Sequence, residues 1–307
     1  MSLDAIQKDL LEKVADLHEV PQGAYNIRAN GTAAARSTTA NIDIVTKTDK
    51  PGIDIIIKPF TKNESVHIPV LISKTGHSEL VYNDFYIGEG ADVTIVAGCG
   101  IHNTGDSESR HDGIHTFYVG KNAKMRYVEK HYGVGDGNGE NVMNPTTVIN
   151  MEENSYVEMD TVQIKGIDST DRVTTAKLAD GATLIVSEKI MTHGKQSATT
   201  KFEVDLDGEN SSTHVISRSV AKDNSKQLFL SNVNGNNACS GHTECDAIVM
   251  DNAVVSAIPQ IQANHTDASL IHEAAIGKIA GEQLTKLMTL GLTEKQAEEQ
   301  IINGFLK

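Results

Sequence analysis

The sequence predicts a β-solenoid core with helices at its two ends, and three observations predict it. Short strands of alternating polarity fill the middle of the chain, as in IDIIIKPF, ADVTIVAG, GIHTFYVG, AKMRYVEKHY, SYVEMDTVQI, ATLIVSEKI and DAIVM. A turn followed by a small residue recurs between them. Large rings are scarce, with aromatics at 4% and no Trp. A core without them is built from Val, Ile, Leu and Ala, which suits thin repetitive β layers.

The recurring unit is seen in GEGADVTI (88–95), GKNAKMRY (120–127), EENSYVEM (152–159), ADGATLIV (179–186) and DNAVVSAI (251–258). The first two steps are 32 residues and the third is 27. A propeller blade is longer, at about 40–50 residues. One solenoid rung with loop insertions fits, because a rung cannot bury its own inner face and must share a core with its neighbours. A β-sandwich also gives many short strands; the small residue at each corner favours the solenoid.

Ahead of the core, Leu3, Ile6, Leu10, Val14 and Leu17 recur at helical spacing, with Leu11 widening the face. This predicts a helix over 2–17 with Ser2 as N-cap, ended by Pro21 and Gly23. Residues 1–39 read as this helix and a linker, 40–265 as the β core, and 266–307 as a helical segment. In that last segment one helix begins near Gly281 and is stopped by Gly291. A second starts at Thr293, with Gln296 at capping-box spacing and an apolar face of Ala297, Ile301, Ile302 and Phe305. These helices serve equally as an end cap or as a docking surface. GVGDGNGENVMNP (133–145) reads as a flexible surface loop and not a phosphate loop, since no GK[ST] follows.

The net charge of −14 argues against nucleic acid, whose phosphates call for basic clusters. No apolar run approaches a membrane span, and the N-terminal residues lack the apolar stretch of a signal peptide. The expectation is a cytoplasmic protein without membrane or nucleic-acid partners. Three cysteines, Cys99, Cys239 and Cys245, form no disulfide framework. No HExxH, GxSxG elbow, Walker A or Rossmann fingerprint occurs in a suitable context.

The chemistry-bearing residues gather late in the chain. Strand alternation places Cys239, Gly241, Thr243 and Cys245 on one face, and His242 and Glu244 on the other. On a strand the adjacent His272 and Glu273 point to opposite faces, so only one of them shares a face with Cys245; at the start of a helix both are exposed near its N-terminus, where Glu273 complements the helix dipole. Thiolate, imidazole and carboxylate hold iron, zinc or sulfur species. His102, His111, His115 and His131 also cluster in sequence and read as incidental residues of a β surface.

The C-terminal block PQIQANHTDASLIHEAAIGKIAGEQLTKLMTLGLTEKQAEEQIINGFLK resembles the end of the SufB/SufD family of iron–sulfur cluster scaffold proteins. The resemblance is carried by Asn264, His272-Glu273-Ala274, Gly277-Lys278-Ile279, Gln283-Leu284, Ala297 and Gly304-Phe305. Softer matches are VHIPVLI (66–72), VAGCGIHN (96–103), GIHTFYVGKNAKMRYVEKHY and ECDAIVM, which look like the SufB half of the family. The resemblance covers about residues 40–307.

What it implies is a right-handed parallel β-helix acting as a non-catalytic scaffold. A transient iron–sulfur cluster, built from iron and sulfide, would be held by Cys245 with Glu273 or His272. A SufC-like ABC-type ATPase would dock on the C-terminal helices, through Gln283, Leu284, Leu287, Ala297, Ile301 and Phe305. A second SufB/SufD-type subunit and a sulfur-donor desulfurase system complete the expected partners. The single helix before the core, TLGL where Arg-Gly is common, and Ala275 where Thr is usual point to a compact form. Such a form would pair as a homodimer or a heterodimer, and Cys245 leans toward SufB. A β-solenoid enzyme acting on acidic polysaccharide, or a purely structural β-helix, are the competing readings; the first calls for a basic groove that the acidic composition does not supply.

Overall fold

The computed structural model describes residues 3–17 and 21–307. Helix α1 (Ala5–Ala15) comes first. Two hairpins follow, β1 (Ala24–Ala29) with β2 (Thr32–Ser37) and β3 (Ile42–Thr46) with β4 (Gly52–Ile57). The long strands come next: β5 (Lys62–Ile72), β6 (Ser78–Ile87), β7 (Asp92–His102), β8 (Ser109–Val119) and β9 (Lys124–Val134). A short pair, β10 (Asn141–Met143) and β11 (Thr146–Met151), shares one position in the stack. Then come β12 (Tyr156–Lys165), β13 (Ser169–Leu178), β14 (Thr183–Thr192), β15 (Ser197–Leu206) and β16 (Ser212–Ala221). The series ends with β17 (Lys226–Gly235), β18 (Ser240–Val249), β19 (Val254–Ala263) and β20 (Ser269–Gly277), and helices α2 (Gly281–Thr289) and α3 (Glu294–Phe305) follow.

One sheet runs β2-β1-β5-β7-β9-β12-β14-β16-β18-β20 and the other β19-β17-β15-β13-β10-β8-β6-β4-β3, with β11 beside β8 and β13. From β5 onward the strands alternate between the sheets, with β10 and β11 sharing one position, and all pairings beyond the two hairpins are parallel, so the chain winds as a β-solenoid of about eight turns. Alternation sends every second side chain into the space between the sheets; on β14 these are Leu184, Val186, Glu188 and Ile190. Like residues stack from rung to rung. Phe85 and Phe117 are in register on β6 and β8, with their rings stacked 4.4 Å apart.

The predicted corner repeat is a backbone device. Gly90, Asn122, Asn154, Gly181 and Asn210 all have φ near +60°, the region in which Gly and Asn are tolerated. Each donates its amide to the next turn: Gly90 to Lys121 O, Asn122 to Glu153 O, Asn154 to Asp180 O and Gly181 to Glu209 O. The small residue that follows points inward and is buried, as at Ala91, Ala123, Ser155 and Ala182. The first four sequence units are successive rungs of this corner. The fifth is not: 251–258 leads into β19 of the other sheet, and the rung that continues the corner starts at Asn210. Both corners use an αL turn, so sequence similarity alone does not separate them.

The β core extends beyond the predicted 40–265. β1 and β2 lie within the segment read as linker, and β20 lies within the segment read as helical. The stretch 133–145 is not simply a flexible loop. Asn141–Met143 is a buried strand between β8 and β13. Gly135 has φ +129°, and a Cβ there would come within 1.8 Å of Asn103 O, so this loop is stacked tightly on the loop before it.

Helix α1 is capped by Asp4, whose carboxylate accepts from Gln7 N in a capping box; the predicted cap Ser2 lies outside the described residues. Leu10 and Val14 pack on β7 where Gly98 and Gly100 leave room, and a Cβ on Gly98 would lie 2.5 Å from Val14 O. The capping box at Thr293 and Gln296 on α3 is formed as the spacing predicts, and Gly291, at φ +95°, follows α2.

Candidate functional site

The two ends of the solenoid differ. The hairpins and α1 cover the first rungs, whereas β19 pairs only with β17 and β20 only with β18 among the described residues. This last rung presents Val254, Ile258, Ile261, Ile271 and Ile276 to solvent, along with the free backbone groups of two edge strands.

Cys245 lies one strand inside that open end. Its side chain faces the interior and is 2% exposed, in the same inward row as Gly241 and Thr243, as alternation predicts. Burial, with Glu188 and Asp246 adding to it, pushes the thiol up to about 12. The sulfur is therefore protonated at neutral pH in this closed arrangement. Metal binding or opening of the rung would be needed to make it a ligand. A cavity of about 10 Å³, lined by Glu188, Thr200, Ser217 and Phe229 among others, adjoins it.

β20 splits the predicted His-Glu pair. Thr243 is in register with His272 and Cys245 with Ala274, so His272 shares the inward face of Cys245. Neither ring nitrogen of His272 has a hydrogen-bond partner among the described residues. Burial and the nearby His242 lower its basicity, which leaves the imidazole neutral and able to ligate. Glu273 is in register with Glu244 on the outer face, and its side chain is 68% exposed. The sheet lies between Glu273 and Cys245.

Sequence reasoning missed a row of polar groups running through the solenoid. His111, His115 and His131 are buried inside it, which corrects their reading as surface residues. His115 Nδ1 lies 2.9 Å from the Tyr127 hydroxyl, which donates to Glu129 Oε1 at 2.9 Å. Arg172 donates to Glu129 at 2.5 Å and lies 3.6 Å from Glu188. Glu188 accepts from Thr200 at 3.1 Å and from Ser217 at 2.8 Å, and Ser217 is in register with Cys245. At the other end, Cys99 is in register with His131 and joins His111 and His115 around a cavity of about 20 Å³, room for one water. Burial, then Glu79 and Glu129, raises the Cys99 thiol well above its ordinary value. Alternation alone could have shown that Glu129, His131, Arg172 and Glu188 point inward, since each continues an apolar inward row.

The C-terminal helices divide their predicted docking residues. Ala297 is fully buried, and Ile302 and Leu306 pack on Val220 with Phe305 beside them, so this face of α3 holds the helix to the solenoid. Ile301 is half-buried. Helix α2 buries none of its residues; Gln283 is exposed and Leu284 and Leu287 are half-buried. Met288 and Leu290 are also open to solvent.

Fold and site together define a parallel β-solenoid protein with a thiol and an imidazole facing inward at an uncapped end. No helix among the described residues is long and apolar enough to cross a membrane. The family model for the SUF system FeS cluster assembly, SufBD core domain, matches residues 73–305. The chain belongs to this SufBD family of iron–sulfur cluster assembly. It is 30% identical over 247 residues to an iron-sulfur cluster assembly SufBD family protein of Archaeoglobus fulgidus, covering 79% of this chain and 65% of that protein. It is 28% identical over 254 residues to one from Methanocaldococcus jannaschii, with 82% and 79% covered. One from Pyrococcus horikoshii is 24% identical over 296 residues, with 96% and 84% covered. The chain thus spans a little under two thirds of the Archaeoglobus protein's length and more of the other two.

Proposed function

We propose that this chain is a scaffold subunit on which nascent iron–sulfur clusters are built at the open end of the solenoid, in a cytoplasmic SUF-type complex. The observation that carries the reading is the placement of Cys245 and His272 on the same inward face of the last two strands of one sheet, with neither ring nitrogen of His272 hydrogen-bonded among the described residues. Cys245 is the thiolate ligand once metal displaces its proton, and His272 is the neighbour favoured as co-ligand. Glu273, from the outer face, is less well placed to join them. Mixed ligation of this kind holds a cluster loosely, as a donor requires. The sulfide would arrive from a desulfurase system.

The burial of Cys245 gives the complex a reason to move, since a thiol held near 12 is inert until the rung opens. A SufC-like ABC-type ATPase bound at the C-terminal helices would supply that motion by hydrolysing ATP, with the scaffold itself catalysing nothing. The exposed helix α2 supports this docking role better than the solenoid-facing side of α3. A second scaffold subunit, a copy of this chain or a close relative, would pair along the exposed apolar edge of β19 and β20 and enclose the site.

The test is an anaerobic co-purification of tagged full-length chain from source lysate, beside a Leu284→Lys/Leu287→Lys variant. Recovery of an ABC-type ATPase by the wild type and its loss in the variant is the expected result. Absence of any ATPase from the wild-type preparation would remove the partner reading.

A further inference from the structure

The outer face of the same strands carries a second set of donors that cluster building at Cys245 does not use. His214 on β16 and His242 on β18 are in register, and their rings stack 4.8 Å apart, 3° from parallel. Glu244, two residues along β18, turns its carboxylate back toward both. Its Oε1 lies 2.8 Å from His214 Nε2 and 3.7 Å from His242 Nδ1. One ligand atom from each of the three lies within 4.8 Å of the others. All three side chains are part-buried, so they are held by the sheet yet open to an arriving ion.

We propose that His214, His242 and Glu244 form a site for one divalent transition-metal ion on the outer wall of the solenoid. Metal–nitrogen and metal–oxygen bonds of about 2.0–2.2 Å put neighbouring ligand atoms roughly 3–3.4 Å apart. The carboxylate–imidazole spacings of 2.8 and 3.7 Å bracket that value, and the ligand atoms as a group lie within 4.8 Å, so the imidazole rings must rotate toward each other to close the site. Two imidazoles and one carboxylate on one side of an ion, with the remaining positions left to water, is the donor set that suits ferrous iron.

A second observation supports the assignment. His242 Nε2, on the other side of the ring, is buried and has no hydrogen-bond partner among the described residues. The Glu273 carboxylate lies near it, with Oε1 at 3.8 Å. A histidine that binds metal through one nitrogen donates its other N–H to a carboxylate, which fixes the ring and raises its donor strength. Glu273 is placed to become that acceptor. It is thereby a positioning residue for His242, which accounts for its lying on the face opposite Cys245.

The ion would sit one sheet layer from Cys245, whose backbone neighbour is Glu244. Ferrous iron as the natural occupant rests on the cluster-assembly reading; the cation site itself does not. The two therefore fail separately.

The test is anaerobic titration of chelator-treated full-length protein with Co²⁺ as a spectroscopic probe, followed by competition with Fe²⁺. One equivalent of Co²⁺ should bind with a nitrogen–oxygen ligand spectrum lacking a thiolate charge-transfer band, and Fe²⁺ should displace it. His214→Ala and His242→Ala should each weaken binding by at least about tenfold, and Glu273→Gln by about 10–100-fold, at unchanged circular dichroism. Cys245→Ser should leave affinity and spectrum unchanged. Absence of stoichiometric binding, equal affinity in the His214→Ala/His242→Ala double variant, or loss of the site in Cys245→Ser would each overturn the proposal. Metal binding without any cluster formation would count against the scaffold role and leave this site standing.

Discussion

Arg172 on β13 donates a 2.5 Å hydrogen bond to Glu129 on β9, across the interior between the two sheets and 43 residues apart in sequence. Both side chains are buried, and the guanidinium reaches toward Glu188 at 3.6 Å on its other side. Charges taken out of water on this scale persist only as a paired set. Arg172→Met leaves two carboxylates without their counter-ion, and we expect a loss of about 3–5 kcal/mol in urea unfolding. Adding Glu129→Gln should restore a large part of it. A single variant as stable as wild type would contradict the pairing.

Acid should destabilise the protein in two stages. Burial lowers His115 from 6.5 to about 4, against the pull of Glu129. Its neutral ring therefore contributes stability that is present above 6.5 and lost as pH falls from 6.5 toward 4. Burial raises the Glu79 carboxyl, but His111 and Arg28 outweigh it and hold it at about 2, so its contribution is lost between 4.5 and about 2. Glu129, held well below 4.5 by Arg172 and His131 despite burial, follows the same direction. Glu188 runs the opposite way: burial raises it, so its contribution fades as pH rises through its folded value. Melting temperature measured across pH should fall on acidification through both windows, with a shallower first limb in His115→Gln. A flat curve between pH 6.5 and 4 would contradict this account.

The Cys245 thiol should react with iodoacetamide at least about 100-fold more slowly than a free cysteine at neutral pH, because so little of it is thiolate. Unfolding in urea should abolish the difference. Rapid alkylation in the folded isolated chain would show that the end rung is already open.

The exposed edge should control association. Ile258→Lys with Ile271→Lys places charge on β19 and β20, where edge strands resist pairing. Light scattering should then report a dimer for the wild type and a monomer for the variant, at unchanged circular dichroism. A variant that still dimerises would place the interface elsewhere.

Asn122 is exposed and has φ +55°. Asn122→Val should cost about 1–2 kcal/mol through the backbone alone, and Asn122→Gly should be near neutral. Equal stability of the two variants would remove the αL turn as the reason for Asn at this corner.

These corners explain how much of the fold was legible. Gly90, Asn122, Asn154 and Gly181 signal a conformation that the sequence states directly, and the 32- and 27-residue steps between units are the strand registers themselves. The placement of 251–258 was not legible, since an αL turn before a strand reads alike at either corner. The strands β1 and β2 were hidden because their residues, such as AYNIRA and TAAARS, carry little apolar alternation and are held by pairing with each other and with β5. At the site, alternation grouped Cys245 with Gly241 and Thr243 on one face and, for a strand, separated His272 from Glu273; which face is interior depends on how the two sheets pack. Alternation could not show that His214, 28 residues before His242, stacks directly on it, because that depends on rung length.

The central claim is that Cys245 is the point at which a cluster forms. Anaerobic reconstitution of the full-length chain with ferrous iron and sulfide, in the presence of the co-purified ATPase and ATP that open the rung, followed by visible absorption, tests it with Cys245→Ser beside Cys239→Ser. We predict that Cys245→Ser loses the cluster spectrum and keeps its fold, while Cys239→Ser retains both. A wild-type cluster yield in Cys245→Ser would contradict the account.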